Sequence, residues 1–480
     1  AYEITTGDWS SDVCSPDLCR GDSVGVFQVE SRAQMAMLPR LRPRCYYDLV
    51  IQVAIVRPGR IQGDMVHPFL RRREGSEPVT YPSPEIAGVL ARTQGVPIFQ
   101  EQVIKLAMVA AGFSGGEADQ LRRAMASWGK NGNLLAFEHK LIAGMTARGY
   151  DLDFARRLFE QIKGFGGYGF PESHAASFAL LVYVSAWLKC HHPAAFYCAL
   201  LNSQPMGFYS PSQLVQDARR HDVEVRPIDV CRSDWDHGLE QTPAGVPALR
   251  LGLRLVRGLQ REVAQRIAAE RDRRPLCDLG DLARRAGLDR GQLAALAAAN
   301  ALRTFSAHRH QAHWDIAGME RPSPLPTPTA NNTSRIELPA PSVGENLLAD
   351  YHSAGLTLGP HPMALLRNRR PLRGCARHRD LADLGNGRFV RIAGLVTGRQ
   401  RPGTASGVIF LTLEDETGNT NVIVWRDLQA RFRAALLDAR LLLVKGVLEQ
   451  RHGVCHVIAG ELLDYSALLA GLAVPSRDFH

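Results

Sequence analysis

The sequence predicts a mainly α-helical chain with tandem helix-hairpin-helix units, followed by a Pro-rich linker and a C-terminal five-stranded β-barrel of the OB type. Three observations carry this expectation. Apolar residues recur at helical spacing between about residues 22 and 227. Two helix pairs with glycine-centred turns occupy 251–305. Beyond residue 389 the period becomes that of short strands, five of them, with one helical segment after the third.

Each element has its own local reason. Residues 1–18 show no periodicity and no helix start, and read as an irregular leader foreign to the rest of the chain. Residues 19–250 form the first region. In it, Val103, Ile104, Ala107, Met108 and Ala111 predict a helix over Gln100–Ala111, closed by Gly112. Ala155, Leu158, Phe159 and Ile162 predict a second over Phe154–Ile162. Ala175–Leu188 is the most apolar stretch and is expected to be a buried core helix, because Lys189, His191, His192 and Pro193 end it short of the ~20 apolar residues a membrane span needs. Residues 251–318 hold the hairpin units, one centred on Val256-Arg257-Gly258-Leu259 and one on Ala286-Gly287-Leu288. Alternating prolines make 319–344 a stiff or disordered connector. A connecting segment, 345–388, leads to the barrel and tail at 389–480. There, strands are expected at Val390–Val396, Val408–Leu413, Asn421–Trp425, Leu441–Val447 and Val454–Ala459, with a helix over Leu428–Ala439.

The chain has 480 residues, room for two to four domains at roughly 100–200 residues each. Fifty-seven Lys and Arg against 48 Asp and Glu give a net charge of +9, which suits a polyanionic partner such as nucleic acid. Nine cysteines without a CxxC pair argue against a zinc ribbon or a disulfide scaffold, and for reduced thiols in the cytoplasm.

Several clusters could carry chemistry. In Gly164-Phe165-Gly166-Gly167-Tyr168-Gly169-Phe170 the glycines let a backbone approach a phosphate or base, and the rings offer stacking faces; a plain hinge is the competing reading. Ser173 and His174 come next, within reach of a phosphate. Arg122 and Arg123 diverge by about 100° on a helix, yet both reach one polyanion if that helix faces a cleft. Arg71-Arg72-Arg73 is placed on a loop, as a phosphate contact or a surface cluster. The hairpin turns can offer backbone N–H groups and a helix N-terminus to DNA phosphates, with Arg254, Arg257 and Arg261 adding charge; ordinary αα-hairpins are the alternative. His308, His310 and His313 lack a completing ligand for zinc. Asp151 and Asp153 read as N-terminal helix residues, not as metal ligands.

The series Val26-Phe27-Gln28-Val29-Glu30-Ser31, Ala54-Ile55-Val56-Arg57-Pro58-Gly59, Phe99-Gln100-Glu101-Gln102-Val103, Leu121-Arg122-Arg123-Ala124-Met125 and Gly167-Tyr168-Gly169-Phe170 resembles successive motifs of the bacterial DNA polymerase III α-subunit (C-family) polymerases. Ser173-His174-Ala175-Ala176 and Trp187-Leu188-Lys189 extend it, so the likeness runs from about Cys19 to the C-terminus. Phe27 to Met35, the closing barrel and the ending Ser476 to His480 resemble the error-prone branch more than the replicative one.

The resemblance implies roles. Residues 19–250 would be the polymerase fingers. Arg122, Arg123, Tyr168 and His174 would lie near the incoming deoxynucleoside triphosphate, with Lys130 and Arg57 as further candidates. Arg254, Arg257, Gly258, Arg261 and Gly287 would grip primer–template duplex. The barrel would face single-stranded template through Phe389, Phe410 or Trp425. A sliding clamp, directly or through partner proteins of an error-prone cassette, would be a further partner. In the family the palm carboxylates that hold Mg²⁺, and a phosphoesterase-like domain, precede the Val26-Phe27-Gln28 motif. Neither is recognisable here, so the chain by itself is expected to bind and not to catalyse. The competing readings are a non-catalytic DNA-binding module and a piece of a replicative α subunit.

Overall fold

The computed structural model describes residues 14–56, 63–127, 134–163, 171–206, 209–319, 336–401, 407–451, 454–469 and 477–479. It divides into two compact units, 1–191 with 452–454, and 192–451 with 455–480.

The first unit is helical: α1 (Cys14–Arg20), α2 (Arg32–Leu41), α3 (Tyr46–Ile55), α4 (Gly63–Arg73), α5 (Pro84–Leu90), α6 (Gln100–Ala111), α7 (Gly115–Ser127), α8 (Leu134–Ala147), α9 (Leu152–Lys163) and α10 (Glu172–His191). The helix α3 is its axle, with every residue from Asp48 to Ile55 buried. Local chemistry sets the helix ends. Ser31 Oγ accepts from Gln34 N at 3.3 Å to start α2. Gln102 Oε1 accepts from the N–H groups of Ile98 and Phe99, at 2.8 and 3.1 Å, to start α6. Gly112, at φ +74°, ends α6 as expected. The four apolar residues expected on α9 are its buried ones, and Asp151 caps it, accepting from Phe154 N at 3.0 Å.

Three expectations are corrected in this unit. The expected irregular leader does not reach residue 18, because Cys14–Arg20 form α1 and Leu18 is buried in the core. The apolar helix is not buried all round. The side of α10 that carries Ala175, Ala179, Val182 and Ala186 is buried, and the small residues let α3 pack closely. Leu180, Leu181, Val184 and Leu188 on its other side are exposed. Nor is Arg71-Arg72-Arg73 a loop; it is the last turn of α4, where basic residues suit the helix dipole. Arg73 points inward to Asp48, and Arg71 and Arg72 both pair with Glu77.

The second unit begins with α11 (Pro193–Asn202) and α12 (Pro211–Arg220). A small sheet comes after them, β1 (Val225–Arg226), β2 (Gly238–Glu240) and β3 (Ala248–Arg250), in the order β1-β3-β2. Next come α13 (Arg261–Arg273), α14 (Leu279–Arg285), α15 (Arg290–Ala298), α16 (Arg309–Ala317), α17 (Val343–Ala354) and α18 (Pro362–Leu366). The His308–His313 cluster has a structural use: ring nitrogens of His308 and His310 donate to the carbonyls of Leu338 and Pro339, at 3.1 and 3.2 Å.

The barrel comprises β4 (Phe389–Gln400), β5 (Ile409–Asp415), β6 (Gly418–Val424), α19 (Arg426–Arg431), α20 (Arg433–Asp438), β7 (Leu441–Arg451) and β8 (Val454–Asp464), with β9 (Arg477–Phe479) added beside β4. Strand order β5-β6-β8-β7-β4, with β4 also paired to β5, closes it into the expected OB topology. The expected single helix is two, broken at Phe432, and Trp425 stands one residue beyond β6.

One buried group in each unit ties stability to pH, and the two act in opposite senses. Burial pushes the Glu30 carboxyl in the first unit up to about 7, against the opposing pull of the Gly25 N–H and Lys189. A raised folded-state value means that its stabilising contribution is complete below the ordinary carboxylate range and lost as pH rises through 7. Burial pushes His237 in the second unit down to about 4, helped by Arg254. That contribution is present above the ordinary histidine value and is lost as pH falls toward 4. Calorimetry of the full chain should show the Glu30 contribution weakening as pH rises from about 4.5 to 7 and the His237 contribution weakening as pH falls from about 6.5 to 4. Glu30→Gln should remove only the first of these; an unaltered profile would refute the assignment.

Candidate nucleic-acid interface

The hairpin turns are built from a buried–exposed alternation. Val256 and Leu259 are buried, which forces Arg257 and Gly258 outward between them. Gly258 has φ +83° and Gly287 φ +61°, and nothing stands within 4 Å of where a Cβ would be. Glycine is therefore set by backbone conformation at both turns, not by crowding.

The two turns differ electrically. The helix α13 starts at Arg261 with Gln260 as N-cap, and no side chain bonds its first amides. Its exposed rim carries Arg257 and Arg261, with Glu262 also exposed in the first turn. The helix α15 starts with Asp289, whose Oδ1 accepts from Gln292 N at 2.8 Å, so an acid already occupies the place an anion would take. Arg254 does not join the rim. Its Nη1 donates to the Asn202 carbonyl and to Asp236 Oδ1, both at 2.9 Å, so it braces the turn from beneath. Arg266 donates Nε to the Ala286 carbonyl at 3.0 Å, and Arg285 pairs with Asp281 and Glu270.

In the first unit, Arg122 and Arg123 are both exposed on α7 and share one carboxylate. Arg122 Nη2 lies 2.9 Å from Asp119 Oδ1, and Arg123 Nη2 lies 2.8 Å from Oδ2. The hydrogen bond from Arg122 is the main reason Asp119 sits below the usual carboxylate range. Asp119 escaped the sequence reading, although its i,i+3 and i,i+4 spacing was a usable signal. His174, exposed on the first turn of α10, meets Phe178 edge-on at 4.4 Å between centroids. Phe178 stacks on Phe27 at 5.6 Å, so two of the sequence motifs meet in one ladder. Lys130, Tyr168 and Arg57 lie outside the described residues.

On the barrel, Phe410 pairs with Ile423 across β5 and β6. Trp425, 52% exposed, stands two residues later on the same side. Phe389, 63% exposed, pairs with Val447, whereas Phe410 pairs with Gln400 at the other end of β4. At ~3.3 Å per residue that separation is on the order of 35 Å, so Phe389 cannot share a stacking platform with the other two.

Within each unit taken by itself, no three His, Cys, Asp or Glu ligand atoms of the described residues come together in metal-binding geometry. Among the described residues no helix is long and apolar enough to cross a membrane.

Comparisons with known proteins agree with this geometry. Residues 8–149 match the model of the bacterial DNA polymerase III alpha subunit finger domain, 222–312 the helix-hairpin-helix motif, and 390–464 the OB-fold nucleic acid binding domain. The error-prone DNA polymerase of Teredinibacter turnerae is 61% identical over 476 residues, 96% of this chain and 46% of that protein. Those of Alkalilimnicola ehrlichii and Pseudomonas aeruginosa are 61% and 60% identical, each covering 96% of this chain and 45% of the relative. The chain thus spans about half the length of the curated relatives it matches.

Proposed function

Because the chain belongs to the bacterial DNA polymerase III α-subunit family, on its error-prone side, we propose that it supplies the nucleotide-side and DNA-side contacts of an error-prone DNA-directed DNA polymerase. Such an enzyme would act in damage-induced mutagenesis and translesion synthesis in the cytoplasm. The observation that carries the DNA half is the first hairpin: Arg257, Gly258 and Arg261 face outward around uncapped helix amides. Gly287 marks the second turn, and Trp425 with Phe410 offers a face to single-stranded template.

For the nucleotide half, Arg122 and Arg123 are already gathered by Asp119. An incoming triphosphate would replace that carboxylate as acceptor for both forks, which is the geometry guanidinium groups favour. His174 would stand nearby on its aromatic ladder, with Tyr168 and Lys130 as further contacts. Deoxynucleoside triphosphates are the proposed substrates, and Mg²⁺ would supply charge neutralisation in the longer polypeptide. A sliding clamp, met directly or through partner proteins, completes the proposed assembly.

Binding to primer–template DNA tests this reading. Affinity measured by fluorescence anisotropy should fall steeply between roughly 50 and 200 mM salt, whatever the base sequence. Arg257→Ala and Arg261→Ala should each lower the log–log salt slope by about one. Arg254→Ala should leave the slope unchanged. Affinity that is flat across the series would overturn the proposal.

A further inference from the structure

The side of α10 turned away from α3 carries an apolar stripe that none of these roles uses. Ser177, Leu181, Val184, Leu188 and His191 follow one another at steps of 4, 3, 4 and 3 residues, and all five are exposed. Leu180 stands beside them, and the four apolar side chains are between 38% and 49% exposed. Single exposed leucines are ordinary, but an aligned row marks a contact surface. The 4-3-4-3 step is the seam of a helix that packs against a second helix at about 20°. Ser177 and His191 bound the seam, so its apolar part runs for about 12 Å, or about two turns.

Charge and area narrow the occupant. A nucleic-acid backbone or an anionic lipid surface needs cations around the contact. The single Lys or Arg of α10 is Lys189, and its Nζ turns inward to Asp22 Oδ1 at 2.8 Å. A second copy of the chain would have to be held by the stripe alone. Four partly exposed side chains offer on the order of 300 Å², well under the ~800 Å² per partner of a stable free-standing interface. So small a contact holds when its partner is tethered, because a covalent link raises the effective concentration to about millimolar. The relatives supply such a tether: the Teredinibacter protein has more than half of its length outside the match to this chain.

The stripe is also continuous with the proposed nucleotide side. Phe178 lies three residues before Leu181, meets His174 at 4.4 Å and stacks at 5.6 Å on Phe27, itself exposed. A body seated on the stripe would stand beside His174. We propose that a helix of the polypeptide half that the relatives carry beyond this match packs its apolar face on Leu181, Val184 and Leu188. The inference rests on the polymerase reading above and names the surface through which this chain meets the rest of that longer protein.

The test puts this chain into the Teredinibacter polymerase in place of the matching segment, and compares the joined protein with the chain alone. Val184→Cys is labelled with a small maleimide and read by peptide mass spectrometry, with the exposed Cys277 of the other unit as reference. The thiol at position 184 should react as an open site in the chain alone, and about tenfold more slowly in the joined protein. Leu181→Glu with Leu188→Glu should leave the thermal midpoint of the chain alone unchanged and lower primer extension by the joined protein about tenfold. Equal labelling in the two proteins overturns the contact, and primer extension by the same sample leaves the polymerase reading standing. Slow labelling in the chain alone that dilution relieves assigns the stripe to a second copy and overturns the contact too. Slow labelling of the joined protein without any primer extension upholds the contact and overturns the polymerase reading. Should the joined protein fail to fold, the remainder of the Teredinibacter protein is titrated into the chain. Position 184 left unshielded at the highest concentration then overturns the contact.

Discussion

Asp48→Ala lowers the stability of the helical unit by about 3–5 kcal/mol, the range expected when one member of a buried pair is removed. On a unit of this size that moves its thermal transition down on the order of 10 °C. The Asp48 side chain is 8% exposed and holds both forks of Arg73, each at 2.7 Å, and the backbone N–H of Arg44, also at 2.7 Å. Arg73 in turn donates Nε to the Leu41 carbonyl at 2.7 Å and Nη2 to the Arg42 carbonyl at 3.0 Å. Together they staple the end of α4 to the turn between α2 and α3, where Arg42 has a left-handed φ of 48°. Without Asp48 the guanidinium stays enclosed by carbonyls with no counter-charge. The Asp48→Ala/Arg73→Ala double variant should therefore lose less than the sum of the two single losses. Calorimetry of the full chain is the measurement, and a single-variant loss below about 1 kcal/mol would show the pair to be unimportant.

In the barrel, Gly446→Ala should cost about 3 kcal/mol or more, at the upper end of overpacking effects. A Cβ on Gly446 would lie 2.2 Å from the Ile458 carbonyl oxygen, which is backbone and cannot rotate away. The neighbouring strand must shift. That strand, β8, sets Ile458 beside Ile423, which pairs with Phe410 on the proposed single-strand face. Gly446→Ala should therefore weaken single-strand binding as well as stability. Gly460→Ala, on the same hairpin, is the control. Its Cβ would sit 3.5 Å from the Lys445 carbonyl, an ordinary contact, so little change is expected. Equal denaturant midpoints for the two variants would refute the crowding argument.

Sequence discloses best the structure whose causes are local. The helices α6 and α9, their caps and the barrel strands announce themselves through spacing and turn residues, because those signals arise within a few residues of the chain. The sheet β1-β3-β2 was missed, since strands of two or three residues carry too little alternation to register. Orientation of charge was less legible still. Arg73 and Arg254 looked like outward cations, yet each turns to a distant partner, Asp48 or Asp236, that only the fold brings near. Arg122 and Arg123 kept their exposure, and their joining through Asp119 needed only helix geometry. That Ala175–Leu188 is helical was legible, but not that α10 runs on through Lys189 to His191, nor that its apolar residues divide between the α3 contact and solvent. Its apolar residues lie all round the helix, so periodicity could not say which side α3 would cover.

The two hairpin turns share a left-handed glycine but differ in build and in charge, the first preceded only by a three-residue 3₁₀ turn at Leu253–Leu255 and the second by α14. The amides at the start of α13 are open, while Asp289 has taken its place on those of α15. A stiff polyanion laid across two equal sockets could lie either way round. Across one open and one plugged socket it has a preferred heading, as a rod does when only one end is magnetised. The asymmetry thus gives the pair of motifs a polarity, and a strand with distinct 5′ and 3′ ends is a ligand for which polarity counts.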